Sequence, residues 1–287
     1  MAPTLISVKP GFGGLEGPYE QARVVFLGVP LDSTSSYRGG TRFAPSRIRE
    51  ASLNLETHLM SLGVELAEKG GVADLGDLLL SSDLAEDGRR IEEAVGGILA
   101  DGKLPALLGG EHTLTLFSVR PFGDVYLLQL DAHRDLREEY LGSRVNHATV
   151  MRRVLDRLDP GRLIQLGVRS CSSEEEEFAR RKGIRSYTTE QLLGDAEGII
   201  REVRREVGSS PVYLTLDLDV LDPAFAPAVT TPEPGGMSTL DLLRILRGLG
   251  GLNLKGFDVV EVAPPFDTGA TAFAAARAIY ELLGVLL

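Results

Sequence analysis

Residues 124–135 read DVYLLQLDAHRD, a short and nearly unbroken apolar run that stops in a cluster of charge. A run that leaves no polar face is a strand buried on both sides, as in a parallel sheet covered by helices. The same pattern recurs in PVYLTLDLD at 211–219. Six further runs resemble these two: RVVFLGV (23–29), GVADLG (71–76), PALLGG (105–110), RLIQLGV (162–168), IRSY (184–187) and FDVVEVA (257–263). Between most of them the apolar residues take helical spacing, as in Ile91, Val95, Ile98 and Leu99, or Ile199, Ile200, Val203 and Val207. Strands alternating with amphipathic helices predict an α/β fold, a three-layer α/β/α domain around a mostly parallel sheet. Ser173 with Glu176 and Thr188 with Gln191 have capping-box spacing, and Ser238 precedes the periodic segment LDLLRILRGL, so each is expected to start a helix. The apolar stretch Thr268 to Leu287 reads as a buried helix or a subunit contact.

At 287 residues, with 43% hydrophobic and 25% charged side chains, the chain has ordinary globular composition. No Pro/Gly/Ser-rich linker and no internal repeat divides it, so residues 1–287 are expected to form a single domain. One cysteine, Cys171, excludes an intrachain disulfide and any CxxC zinc clamp. That is compatible with a reducing compartment, and a cytoplasmic location is expected. The amino end, MAPTLISVKPGFGG, lacks the apolar core of a signal peptide, and no run of about 18 apolar residues occurs anywhere, so neither export nor a membrane span is expected. A net charge of −11 argues against nucleic acid or an anionic membrane as partner. A small cationic ligand fits better.

The chain has four histidines, His58, His112, His133 and His147. His133 lies in Asp131-Ala132-His133-Arg134-Asp135, where strand alternation throws Asp131, His133 and Asp135 to one side. Asp217-Leu218-Asp219 closes the second strand in the same way, and two like charges at that spacing need a compensating cation or protons. In Gly109-Gly110-Glu111-His112 the glycines allow a tight exit that presents one imidazole. Each motif alone has a plainer reading, as a solvated turn, a helix cap or a surface histidine. Together they set four Asp and two His at the carboxyl ends of strands, where α/β sheets place ligands. This oxygen-rich mixture with some imidazole suits Mn²⁺. Six donors exceed what one tetrahedral ion uses, and a pair of ions sharing carboxylates accounts for all of them.

An ordered set of segments, FLGVPLDSTSSYRGGTRFAPSRIRE, DLGD (74–77), GGEHT, DAHRD, LGVRS (166–170), DLDVLDPAFAP and DVVEVAPPFD (258–267), resembles the ureohydrolase family of arginase and agmatinase relatives and is most similar to the agmatinase branch. The resemblance covers nearly the whole chain and implies an arginase-like, eight-stranded sheet carrying two Mn²⁺ ions. By motif position His112 would ligate one ion and His133 the other; Asp131 and Asp217 would bridge them; Asp135 would join the first and Asp219 the second. It also implies hydrolysis of a guanidino group by a hydroxide shared between the ions, since two ions lower the pKa of bridging water to near neutrality. Two M²⁺, four carboxylates and one hydroxide leave a single negative charge, which welcomes a guanidinium. Asp135 would move a proton from the attacking water to the departing nitrogen, His147 would relay protons to solvent by titrating near neutrality, and Glu261 would accept hydrogen bonds from the guanidinium. Trimers or hexamers are the implied assembly.

Two departures mark this chain: Ala148 stands where the family has glycine after the loop histidine, and Arg134 is bulky for the centre of its motif. Alternation points Arg134 away from the ions. His58, in LETHLM, is expected on a helix as a packing residue, Glu174–Glu177 at a helix start, Asp222 in a turn, and Asp74 and Asp77 in a loop after a strand. In the window LREEYLGSRVNH (136–147), Glu138 and Glu139 would repel a carboxylate if they faced the cleft. Agmatine, giving putrescine and urea, is therefore preferred as substrate, with aminopropylagmatine, arginine and guanidinobutyrate as alternatives. A catalytically silent guanidino-binding subunit and a binuclear phosphoesterase are the readings from other classes; the acidic balance and the lack of a phosphate loop oppose the latter.

Overall fold

The structure, a computed structural model, describes residues 11–287 and the backbone of Ile6–Ser7. The expectation that the amino end carries no export signal falls largely on residues 1–5 and 8–10, which lie outside the described residues. Among the described residues eleven strands form: β1 (Ile6–Ser7), β2 (Val24–Val29), β3 (His58–Leu59), β4 (Val64–Glu65), β5 (Val72–Leu78), β6 (Leu104–Gly109), β7 (Tyr126–Leu130), β8 (Leu163–Val168), β9 (Arg185–Thr188), β10 (Pro211–Asp217) and β11 (Asn253–Val260). Nine make one sheet in the order β1-β5-β2-β6-β11-β10-β7-β8-β9. The eight apolar runs of the sequence are its eight parallel strands, and β1 adds a two-residue antiparallel edge.

Burial on both faces explains why those runs lack alternation. Within β10, Leu214 and Leu216 join one core with Phe257 and Val259 of β11, whereas Tyr213 joins the opposite core with Val260. The first core is closed by helices Ala44–Ser52, Ala196–Val207, Thr239–Gly248 and Ala270–Leu286; the second by Leu84–Ala100, Leu114–Ser118, Val150–Val154 and Ser173–Lys182. Each Leu, Ile, Val or Phe so covered contributes about 1.5–3 kcal/mol relative to exposure, so the three layers hold together without a staple. Helix Ala270–Leu286 buries Ala272, Ala275, Ile279 and Leu283, packs on Ala44–Ser52 and Thr239–Gly248, and is therefore a core helix of the chain itself. Among the described residues, no helix is long and apolar enough to cross a membrane.

Four local expectations shift. Asp74 and Asp77, expected in a loop after a strand, lie within β5, because the strand runs on to Leu78. The cap of helix Ser173–Lys182 is Ser172, boxed with Glu175, one residue before the expected pair; only Ser172 keeps the extended backbone that lets its hydroxyl turn back onto Glu175 N. His58 sits in β3, paired with Glu65 of β4 across a turn at Gly63 (φ 65°), because the segment is too short to complete a helix before that glycine reverses it. Strand β11 starts at Asn253, earlier than its apolar part, since Asn253–Lys255 is only partly covered.

The sheet order has one consequence for function. Strands β6, β11, β10 and β7 are consecutive neighbours. Segments that begin at residues 110, 131, 218 and 261 therefore leave the sheet side by side.

Candidate metal centre

Strand β6 exits through Gly110, where a Cβ would lie 1.9 Å from the Leu31 carbonyl oxygen; only glycine lets the chain pass that close. The turn delivers His112 into a buried position beneath the exits of β7 and β10. Its Nδ1 lies 3.1 Å from Asp131 Oδ2, 3.1 Å from Asp135 Oδ2 and 3.3 Å from Asp217 Oδ2. His133 Nδ1 lies 2.8 Å from Asp219 Oδ2 and 3.6 Å from Asp131 Oδ1. Two groups of potential ligands result, His112–Asp131–Asp217 and Asp131–His133–Asp219, in each of which the ligand atoms lie within 4.8 Å of one another. Asp131 belongs to both.

Alternation accounts for only part of this convergence. Strand β7 ends at Leu130, but Arg169 N and Ser170 N both donate to Ala132 O and His133 forms a bridge with Ser170, so the pleat is carried on as far as His133. Asp135 reaches the cleft by a left-handed backbone, φ 55°, which a non-glycine residue adopts at a cost of order 1–3 kcal/mol. Asp219 is not on a strand; it lies in the 3₁₀ turn Leu218–Val220, with its N–H held by Asp217 Oδ1 at 2.8 Å. Glu261, just past β11, is also left-handed at φ 68°. Two strained backbones thus fall among the few residues with chemistry to perform.

The electrostatics are lopsided. Burial and the charges of Asp219 and Asp131 push the Asp217 carboxyl well above its ordinary range. Burial and Asp131 push Asp135 up to about 7, and burial pushes Glu261 up to about 8 against the hydrogen bonds it accepts from Thr230 and His112 N. Burial alone would lower both His112 and His133, yet the surrounding aspartates outweigh it and raise them. The cluster takes up protons because it lacks positive charge. His112 Nδ1 and Asp219 Oδ2 are buried with no hydrogen-bond partner. A donor set of this kind, with one orphaned atom in each group of potential ligands, fits a pair of divalent ions sharing Asp131.

Around it lies a cleft of about 170 Å³ lined by His112, His133, Asp135, His147, Asp217, Asp219 and Glu261, together with Ser36, Arg137, Tyr140, Ala148, Ser170 and Thr231. His147 Nε2 is 3.1 Å from Ser36 Oγ, and burial pushes the ring down to about 4, so it is neutral at pH 7 rather than titrating there as expected. Ala148 occupies a 3₁₀ turn and has no positive φ, so the family's glycine is not needed to place His147. Arg134 turns away from the cleft, to Gln165 Oε1, Ser186 Oγ and Glu176 Oε2. Glu138 and Glu139 do not line it: Glu138 meets Arg144 and Arg152 at 2.5 Å each and Arg153 at 3.2 Å. Contrary to expectation, neither glutamate is placed to repel a carboxylate in the cleft. His58 lies elsewhere, near Glu65.

Sequence reasoning missed Ser36, Arg137, Tyr140, Ser170 and Thr231 on the cleft wall, and Glu111 beneath it. Glu111 accepts from Ser33 N, Thr34 N and Thr34 Oγ1 at 2.7–2.9 Å and so pins the loop that carries Ser36. The run of small hydroxyl residues at 33–36, directly after a buried strand, was the available signal.

The model of a protein family described as the arginase family matches residues 22–284. A guanidinobutyrase of Pseudomonas aeruginosa is 41% identical over 91% of this chain and 85% of its own, and an agmatinase of Bacillus anthracis is 38% identical over 92% of each. Among solved structures, the agmatine ureohydrolase of Thermoplasma volcanium superposes with a TM-score of 0.89 at 39% identity, covering 98% of this chain and 95% of that one.

Proposed function

The chain belongs to the arginase family and is a ureohydrolase acting on a guanidino C–N bond, and from that premise we propose that it cleaves agmatine to putrescine and urea with two Mn²⁺ ions. The observation that carries the reading is the double group of ligands around Asp131 at the floor of a cleft dominated by carboxylates. His112, Asp131, Asp135 and Asp217 would hold one ion, and Asp131, His133, Asp217 and Asp219 the other. Bound there, the ions supply Lewis acidity that brings the pKa of water towards neutrality.

The chain's own groups do the rest. Glu261 sits beside His112 with its carboxylate already oriented by His112 N and the Thr230 hydroxyl, and its free lone pairs accept from the guanidinium NH₂ groups. Asp135 holds the proton taken from water and gives it to the departing amine nitrogen. His147, neutral and hydrogen-bonded to Ser36, passes a proton between cleft and solvent.

Agmatine fits because the one Arg or Lys on the wall, Arg137, is engaged: its Nε faces Glu175 Oε2 at 3.6 Å and its guanidinium stacks on Tyr140 at 5.1 Å. A second reading, a guanidino acid such as guanidinobutyrate, is favoured by the same residue if it swings from Glu175 to a substrate carboxylate. Urea release by the Mn²⁺-loaded protein from agmatine, aminopropylagmatine, guanidinobutyrate and arginine decides. Agmatine dominant supports the proposal, guanidinobutyrate dominant moves it to the second reading, and urea from none overturns both.

A further inference from the structure

Behind His112 lies a buried polar chain that touches neither the cleft nor solvent. Thr215 of β10 pairs in register with Asp258 of β11, and both side chains are fully buried. Asp258 Oδ2 accepts from the Tyr213 hydroxyl at 2.7 Å and from Thr115 Oγ1 at 2.9 Å. Thr115 Oγ1 is 3.3 Å from Thr215 Oγ1, which is 2.9 Å from His112 Nε2.

The proton order along this chain follows from its end. A carboxylate can only accept, so the Thr115 hydrogen points at Asp258. Thr115 then offers a lone pair to Thr215, whose hydrogen points that way, and Thr215 has only a lone pair left for His112. His112 Nε2 must carry the proton. Its Nδ1, buried, without a hydrogen-bond partner and aimed at Asp131, Asp135 and Asp217, is then the nitrogen that would give up its proton to a metal ion arriving on the ligand side of the ring.

We propose that Asp258 is a positioning residue: acting through Thr115 and Thr215, it fixes the tautomer and orientation of His112 so that Nδ1 is presented to the first metal ion. This rests on the two-ion reading above. Outer partners of a metal-bound histidine set ligand geometry and basicity, and losing one costs about 10–100-fold in metal affinity.

The test is Mn²⁺ binding, followed by electron paramagnetic resonance of the free ion, on wild type, Asp258→Asn, Thr215→Val and Thr215→Ser. Expected is a loss of about 10–100-fold at one of two sites in Asp258→Asn and Thr215→Val, with near wild-type binding in Thr215→Ser, which keeps the hydroxyl. Folded Asp258→Asn and Thr215→Val proteins that bind both ions as wild type does would overturn the inference and leave the two-ion reading standing. A wild-type protein that binds fewer than two ions would overturn that reading, and this inference with it. Should the variants not fold, nitrogen-15 shifts of His112 in the Zn²⁺-loaded wild type give the answer directly: a proton on Nε2 supports the assignment, and a proton on Nδ1 refutes it.

Discussion

Two clusters of buried carboxylates lie on this sheet, and they differ in one respect. At β5, Asp74 and Asp77 meet Arg49 from helix Ala44–Ser52: Nε and Nη2 grip Asp74 at 2.7 and 2.8 Å, and Nη1 reaches Asp77 at 2.5 Å. Arg49 is fully buried, and although burial favours its neutral form, the two aspartates outweigh that and raise its pKa. At the exits of β7 and β10, four aspartates share a site with two imidazoles and no guanidinium among their ion pairs. One cluster carries its own cation. The other keeps a place for cations that arrive later. Buried acid by itself therefore does not mark a functional site; buried acid without a resident cation does.

Removing Arg49 is the most severe way to break the contrast. Arg49→Met should cost about 3–5 kcal/mol of stability by stranding two buried charges, while leaving turnover per folded molecule unchanged; denaturant melts beside urea assays check both halves. At the other cluster Asp131→Asn should lose Mn²⁺ and activity together. The drop should be at least about 100-fold, the upper end for mere outer partners of a ligand, and metal content measured alongside urea release would expose any separation of the two.

A titration sharpens the comparison further. Burial raises Asp135 to about 7 and Glu261 to about 8, so between about pH 4 and 8 these two carboxyls hold more protons in the folded metal-free protein than in the unfolded chain, an excess that outweighs the opposite effect of His147, lowered to about 4. Stability of the chelated protein should consequently be highest at the acid end of this window and fall as pH rises through it. Added Mn²⁺ should flatten that slope. Thermal melts from pH 4.5 to 8.5 with and without the ion test this, and a slope of opposite sign would contradict the carboxylate assignment. The smallest effect is a difference in sign: without metal, Asp217→Asn should raise the melting temperature by a few degrees, roughly the 2–4 °C that 1 kcal/mol moves a domain near this size, whereas Asp74→Asn should lower it.

Much of this molecule is legible in its sequence. Strands β7 and β10 read correctly because Leu127 and Leu128, like Tyr213 and Leu214, put buried side chains on both faces, a pattern set by covering helices and visible without them. The histidines and aspartates of the cleft stand out because they interrupt such strands. Ser36, Arg137 and Tyr140 did not stand out, since loop side chains have no periodicity to betray their direction. Asp74 and Asp77 looked like loop organisers for a related reason: their partner is 25 and 28 residues away, on a helix whose docking angle no local pattern encodes.

The order of residues along the chain determined the parallel sheet, its covering helices and the donors available at each strand end, because the spacing of apolar residues that marks a doubly buried strand or an amphipathic helix is a local property of the chain. Only the folded structure decided that β6, β11, β10 and β7 lie together, that turns and left-handed backbones rather than strand pleat deliver Asp219 and Asp135, and that Arg49 serves one acid cluster and no guanidinium serves the other. The reason is that electrostatic energy depends on distances of a few ångströms through a low-dielectric interior, and those distances belong to the packing of segments remote in sequence.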